Sequence, residues 1–248
     1  MIRVRGLGKR LRGQRVLDGL DFDLADGETV VVIGQSGTGK SVFLKHLIGL
    51  MRPDAGSVEV DGVEIQQRSE RELAPLRRRF GMLFQGAALF DSMTVFENVA
   101  FPLRQWRGST QEEIRRRVCD ALALVDLEAA AEKYPAELSG GMRKRAGLAR
   151  AIAGQPRYML YDEPTTGLDP VIADSINDLI LRLRDTLAVT SVAVTHDMAS
   201  AFKIASRVAM LHQGRIYYQG TVAETQATDD PVVHQFITGS AHGPLTEG

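Results

Sequence analysis

Gly34-Gln35-Ser36-Gly37-Thr38-Gly39-Lys40-Ser41 decides how the rest of the 248-residue chain is read. The stretch fits G-x-x-x-x-G-K-[ST] at every fixed position, with a strand-like run, Glu28–Ile33, before it and an amphipathic run, Val42–Ile48, after it. That order of strand, glycine loop and helix is what a phosphate-binding loop requires. The glycines let successive backbone N–H groups turn inward on a polyphosphate, and the helix start adds the positive end of its dipole. Lys40 is expected to reach the β- and γ-phosphates, and the Ser41 hydroxyl to hold Mg²⁺. The alternative is a plain Gly/Ser turn between a strand and a helix; the match of both flanks argues against it. A nucleoside triphosphate is the expected ligand.

Composition sets the bounds. Hydrophobic content of 44% and charged content of 25% are ordinary for a soluble globular protein. The length supports a sizeable core but does not decide between one domain and two. Thirty basic and 31 acidic residues leave a net charge of −1, which gives no electrostatic footprint for general nucleic-acid binding, so no nucleic-acid partner is expected. The single cysteine, Cys119, excludes an intrachain disulfide and suits a reducing compartment. Its spacing from Leu122 predicts a helix core position, where cysteine behaves as a small hydrophobe. Met1–Gly6 carries positive charge with no apolar run behind it, so no signal peptide is expected. No apolar run approaches the ~18 residues of a membrane span, so work at a membrane would need a second chain.

Along the chain, Ile2–Arg5 and Leu20–Leu24 read as strands, with Gly13 and Asp18-Gly19 as punctuation between them. Arg52–Gly56 reads as a turn and Ser57–Gly62 as a strand. A charged segment ending in Arg77-Arg78-Arg79 reads as a solvated face before the strand Phe80–Phe84, which Gln85 follows directly. Residues 86–150 turn helical in pattern: Thr94–Leu103, a helix behind the capping box Thr110–Glu113, and Ser139–Ala153. Strand patterning returns at Arg157–Tyr161 and Thr190–Thr195, with a helix from Pro170 to about residue 185 between them. A hairpin, Arg207–Leu211 and Arg215–Tyr218, and two short helical pieces follow. Alternating strands and helices predict an α/β fold with a largely parallel sheet.

The chemistry gathers at strand ends. Asp162 and Glu163 close an apolar strand, where one carboxylate can hold Mg²⁺ through water and its neighbour can orient the attacking water. Pro164–Asp169 continues from them as a tight loop, and His196 ends the next strand. His46, His212, His234 and His242 have no comparable setting and read as structural. In Leu138-Ser139-Gly140-Gly141-Met142, Ser139 can cap a helix, and the two glycines leave N–H groups open to an anion. This second anion-binding helix start serves either the same nucleotide or one held by another copy of the chain.

Taken together, these motifs resemble those of the nucleotide-binding subunits of ABC transporters, over nearly the whole chain. Residues 34–41 match the family's Walker A, Gln85 its Q-loop glutamine, and Leu138–Met142 its signature motif. Tyr158–Asp162 match Walker B with Glu163 as the catalytic glutamate, Gly167-Leu168-Asp169 the D-loop, and His196 the switch histidine. The resemblance implies an α/β P-loop NTPase (RecA-like) core with a mixed sheet, an antiparallel β subdomain and an inserted α-helical subdomain. It frames residues 1–248 as one ATPase domain: core 1–86 and 151–240, helical subdomain 87–150, tail 241–248. It also implies ATP as nucleotide, Mg²⁺ on Ser41, Gln85 and Asp162, and catalytic roles for Glu163, His196 and Gln85. Nucleotide contacts would come from Gly34, Gln35, Ser36, Gly37, Thr38, Gly39, Lys40, Ser41, Asp162 and Asp169. Ser139, Gly140 and Gly141 of one chain would close on the ATP of the other in a head-to-tail homodimer.

The family usually stacks an aromatic residue on adenine, but Lys9-Arg10-Leu11-Arg12-Gly13 holds none, which predicts weak base selectivity. Three stretches, Gly81–Leu103, Arg143–Arg150 and Asp230–Pro244, are similar to the ATPases of the Mla and Mce lipid-transport systems. They imply phospholipid transport from the cytoplasmic face of a bacterial inner membrane, through a separate Mla-type permease. An MCE-domain protein and a small STAS-domain protein are further implied partners. Ala87, Ala88, Leu89, Phe90 and Phe96 form an apolar cluster where a permease helix can dock, or pack as core. The rival readings are an importer for amino acids or another small solute, and a soluble ABC-type ATPase acting on DNA or in translation. The chain carries neither the long coiled-coil insertion nor the duplicated nucleotide domain of the latter.

Overall fold

A computed structural model describes residues 1–106 and 108–246. The last two residues of the expected tail 241–248 lie outside the described residues. The chain divides into two compact units, Met1–Ala74 with Val192–Gly248, and Pro75–Ser191.

In the first unit, β1 (Ile2–Leu11) and β2 (Gln14–Leu24) form a long hairpin, and β4 (Ala55–Val60) and β5 (Val63–Glu64) extend it to a four-stranded antiparallel sheet ordered β2-β1-β4-β5. The hairpin is longer than its sequence suggests, and Asp18-Gly19 lies inside β2 rather than between strands. Only Arg12-Gly13 forms the turn. Irregularities in register between Val4 and Arg10 absorb Gly6, which has φ +57°.

β3 (Thr29–Ile33) is buried at all five positions, as expected of a run of valines covered on both faces. It pairs in parallel with β9 (Arg207–His212), which turns back antiparallel into β10 (Arg215–Thr221). α1 (Lys40–Leu47) leaves the end of β3 and packs Phe43 edge-on against Phe22, ring centres 5.1 Å apart. Each such fully buried aromatic or aliphatic side chain contributes roughly 1.5–3 kcal/mol. α7 (Met198–Ile204), α8 (Val222–Gln226) and α9 (Pro231–Thr238) complete this unit.

In the second unit, β6 (Phe80–Leu83) and β7 (Tyr158–Asp162) pair in parallel, with Phe80 stacked on Tyr158 at 5.0 Å. β8 (Thr190–Val194) begins in this unit and ends in the first. Its first N–H bonds the Arg157 carbonyl, and the Thr195 N–H beyond its end bonds that of Val32. The strand order is β10-β9-β3-β8 in the first unit and β8-β7-β6 in the second. One antiparallel hairpin on otherwise parallel strands makes the sheet mixed, and the chain has the α/β P-loop fold expected of it.

Between β6 and β7 run α3 (Val95–Arg104), α4 (Gln111–Leu124), two short 3₁₀ turns and α5 (Gly140–Ile152), with α6 (Pro170–Leu187) following β7. Thr94 and Glu97 form a reciprocal capping box at the start of α3. At α4, Thr110 accepts the Glu113 N–H at 3.1 Å, while the Glu113 carboxylate bonds Arg117. Cys119 is exposed, contrary to its expected core position. The buried stripe of α4 is Ile114, Val118, Ala121 and Leu122, and Cys119 lies one residue, about 100°, off it. Before Phe80, Arg78 and Arg79 are exposed, as a solvated face, and the charged segment ahead of them holds a helix not expected there, α2 (Glu70–Arg77).

Candidate functional site

The candidate residues fall into two sets, one in each unit. In the first, β3 runs out into Gly34, whose φ of +150° and closeness to β9 admit no side chain: a Cβ there would lie 2.4 Å from the Leu211 carbonyl oxygen. Gly39 has φ +102°, and its Cβ would come within 2.8 Å of the Val16 side chain. Gln35, Ser36 and Gly37 form the exposed crest of the loop, and the Thr38 hydroxyl bonds the Gln35 carbonyl at 2.9 Å. The Lys40 ammonium, 6% exposed, donates to the Gly34 carbonyl at 2.7 Å and the Gln35 carbonyl at 2.9 Å. No side chain caps α1, whose N-cap is Gly39, and Ser41 in its first turn is half-buried.

This geometry fits a triphosphate. Positive-φ glycines turn the loop backbone inward, a buried cation sits in its mouth, and α1 starts at a glycine N-cap that brings no capping side chain. His196, past the end of β8, is exposed. Asp197 caps α7, accepting from the Ala199 and Ser200 N–H groups and from the Ser200 hydroxyl.

In the second unit, Asp162 ends β7 at 7% exposure and Glu163 follows at 8%. Glu163 has φ +51°, a left-handed conformation that an L residue keeps only where its surroundings hold it. The Thr166 hydroxyl donates to Glu163 Oε2 at 2.9 Å. Asp169 is exposed and caps α6, accepting the Val171 and Ile172 N–H groups at 3.1 Å each. Ser139 caps α5, accepting the Met142 N–H at 3.3 Å. Gly140 and Gly141 are half-buried and serve packing, because a Cβ on Gly140 would meet Leu168 at 3.1 Å and one on Gly141 would meet Ile172 at 2.7 Å.

Gln85 is exposed, and its backbone carbonyl accepts from the Lys144 ammonium at 2.5 Å. The same ammonium donates to the Glu163 carbonyl at 3.0 Å. Burial brings the Lys144 pKa down to about 8, against the opposing pull of the Glu163 and Asp162 carboxylates. Ala87 and Ala88 are both left-handed, at φ +60° and +48°, and the Arg150 guanidinium bonds both of their carbonyls at 2.6 Å. Gln85, Gly140, Lys144, Thr166 and Leu168 help line a cavity of about 160 Å³.

Of the apolar cluster after Gln85, Ala87 is buried and Leu89 half-buried, while Phe90 is 42% exposed with its ring 4.7 Å from Phe101. The buried Asn98 amide donates to the Phe90 and Met93 carbonyls and holds this turn. Among the described residues no group of three or more His, Cys, Asp and Glu side chains is placed to hold a metal.

Sequence reasoning did not find Lys144, Thr166 or Arg150. The signal for Thr166 was its place three residues after Glu163; for the two cations nothing local distinguishes them from solvated helix charges.

Residues 17–166 match the family model described as ABC transporter. The chain belongs to the ABC transporter family. It is an ATP-hydrolysing subunit of that family, with Mg²⁺ as the usual partner of the nucleotide. It is 43% identical over 244 residues to the probable ribonucleotide transport ATP-binding protein mkl of Mycobacterium leprae, covering 98% of this chain and 70% of the relative. It is 42% identical to the methionine import ATP-binding protein MetN of Carboxydothermus hydrogenoformans, covering 96% of this chain and 71% of that protein. It is 40% identical to the intermembrane phospholipid transport system ATP-binding protein MlaF of Haemophilus influenzae, covering 94% of this chain and 89% of MlaF. Among solved structures it resembles the dimeric ATP-binding cassette MJ0796 bound to ADP and Pi, with a TM-score of 0.82, 31% identity, and 90% of this chain and 99% of that one covered.

Proposed function

We propose that this ABC ATPase energises phospholipid movement between bacterial membranes, as a peripheral homodimer on the cytoplasmic face of the inner membrane. The observation that carries the cargo reading is the likeness of Gly81–Leu103, Arg143–Arg150 and Asp230–Pro244 to Mla- and Mce-type ATPases, supported by the 40% identity to MlaF. No helix among the described residues is long and apolar enough to cross a membrane, so a separate Mla-type permease supplies the span in this reading. Phe90, exposed on a turn fixed by Asn98, is the proposed contact with it. An MCE-domain protein and a STAS-domain protein complete the proposed assembly.

At the site, Lys40 and the N–H groups of Gly34–Ser41 would hold the phosphates, and Ser41, Gln85 and Asp162 would hold Mg²⁺, which when bound would supply neutralisation of phosphate charge. Glu163 takes up the proton of the attacking water, and His196 faces the charge that develops on the γ-phosphoryl oxygens. Ser139 and Gly141 of the second copy close the nucleotide site, with Asp169 at the same interface. Gln85 and the turn after it carry the change to the permease.

The second reading, import of an amino acid or other small solute, is favoured by the 42% identity to MetN. Affinity purification from native membranes in mild detergent separates the two. A permease, an MCE-domain protein and bound phospholipid are expected in the eluate. A periplasmic solute-binding protein in their place overturns the lipid reading.

A further inference from the structure

We propose that Lys144 is a positioning residue for hydrolysis, holding the Glu163 backbone and the Gln85 turn in fixed relation to the helix that bears Ser139-Gly140-Gly141. The proposal rests on the reading of Glu163 as the group that activates water. Lys144 lies on α5 and is only 5% exposed, which is unusual for a lysine unless its ammonium finds partners. It donates to two backbone carbonyls far away in sequence: Gln85 at 2.5 Å and Glu163 at 3.0 Å. One side chain thus joins the three segments expected to sense the nucleotide.

The neighbouring side chains of α5 do something different. Arg143 turns back to the Leu138 carbonyl at 2.7 Å, inside its own motif, and Arg145 bonds Val125 and Asp126. Arg143 also lines the cavity beside Gln85, but of the three it is Lys144 that bonds the Gln85 and Glu163 backbones. Its position matters because of the conformation it meets. Glu163 is left-handed, and a residue keeps that conformation only where its surroundings hold it. Lys144 holds the carbonyl, and Thr166 holds the carboxylate at Oε2. A shift of α5 when a second copy arrives at Ser139 is therefore passed to Glu163 and to Gln85 through the same ammonium. That gives a route from dimer closure to water activation without a new contact at the phosphates.

The test is steady-state ATP hydrolysis by the full chain carrying Lys144→Met, Lys144→Arg or Glu163→Gln, with thermal unfolding measured in parallel. Loss of turnover in Glu163→Gln confirms the role on which the proposal rests; parent-rate turnover there removes that role, independently of Lys144. With that control in place, Lys144→Met is expected to lower kcat roughly 10- to 100-fold, the range for a misplaced reacting group. Its KM for ATP should stay within about twofold, because phosphate binding is untouched. Lys144→Arg, which keeps the charge and donors, should recover much of kcat. A folded Lys144→Met variant with kcat within about twofold of the parent, or one whose KM rises as far as kcat falls, overturns the proposal. If Lys144→Met does not fold, Lys144→Gln decides: reduced kcat at unchanged KM supports the role, and parent kcat ends it.

Discussion

The Lys40 ammonium closes the phosphate loop on itself, donating to the Gly34 carbonyl oxygen at 2.7 Å. When ATP enters, that ammonium is expected to turn a donor to the phosphate oxygens, a contact worth about one charged hydrogen bond. Lys40→Ala should weaken ATP binding by ~1.5–3 kcal/mol, about 10- to 150-fold in Kd. Titration calorimetry with ATP and Mg²⁺ reads this directly. Binding within about twofold of the parent would remove Lys40 from the phosphate site.

Glu163 and Thr166 offer a graded test. Glu163→Gln removes the base and should lower kcat by roughly 10²–10⁴-fold with ATP binding retained. Thr166→Val keeps the carboxylate and removes only the 2.9 Å hydrogen bond to Oε2. Losing a bond of ~1–1.5 kcal/mol should cost about 5- to 10-fold in kcat. A Thr166→Val enzyme as impaired as Glu163→Gln would mean that Thr166 itself touches the reacting groups.

The parts legible in the sequence were those whose cause is local. Gly34–Ser41 carries its own fold instruction, since a positive φ at Gly34 and Gly39 is a demand on single residues. The strands β3, β7 and β8 read as apolar runs because each is buried along its whole length. What could not be read depends on distant partners. Lys144 and Arg150 look like solvated charges on α5, yet both reach acceptors about 60 residues upstream, in the turn after β6, and Lys144 also reaches the Glu163 carbonyl after β7. Their burial follows from packing that no helical period encodes. α2 is a different case. Ser69 and Glu72 carry a capping signature, and the Ser69 N–H does donate to the Glu72 carboxylate at 2.9 Å. Pro75 inside the helix and the following arginines masked that signal.

His46 predicts how stability depends on pH. It is fully buried on α1, its Nδ1 is 2.7 Å from the Val42 carbonyl oxygen, and the Lys9 ammonium and Asp54 carboxylate face it. Burial lowers its pKa below the ordinary 6.5, outweighing the Val42 carbonyl, which favours the charged ring. Below pH about 6.5 the unfolded chain therefore takes up a proton that the folded chain refuses. Stability is full above that pH and falls as pH drops through it. Thermal unfolding at pH 7.5 and 5.5 should show a lower Tm at the acidic value, and His46→Leu should flatten the difference. An unchanged slope in His46→Leu would assign the pH dependence to other groups.

Base selectivity is the last expectation. The segment that usually supplies an adenine-stacking aromatic is here the end of β1, Lys9–Leu11, and a turn in which Arg12 has φ +50°. Arg10 and Arg12 are exposed and Leu11 is half-buried, so a base would meet a guanidinium plane or an aliphatic side chain. Such surfaces read the π-face of a purine, which adenine and guanine share, and not its hydrogen-bonding edge. A site that does not pair with the edge gains little discrimination, whereas one built to pair with it rejects the wrong group by 10⁴-fold or more, on the order seen for buried polar recognition. GTP should therefore inhibit ATP hydrolysis with a Ki within about tenfold of the KM for ATP. A preference for ATP above roughly 100-fold would require a residue that hydrogen-bonds the adenine edge. Arg12→Ala, tested in the same competition, should weaken both nucleotides alike if the guanidinium stacks on the base.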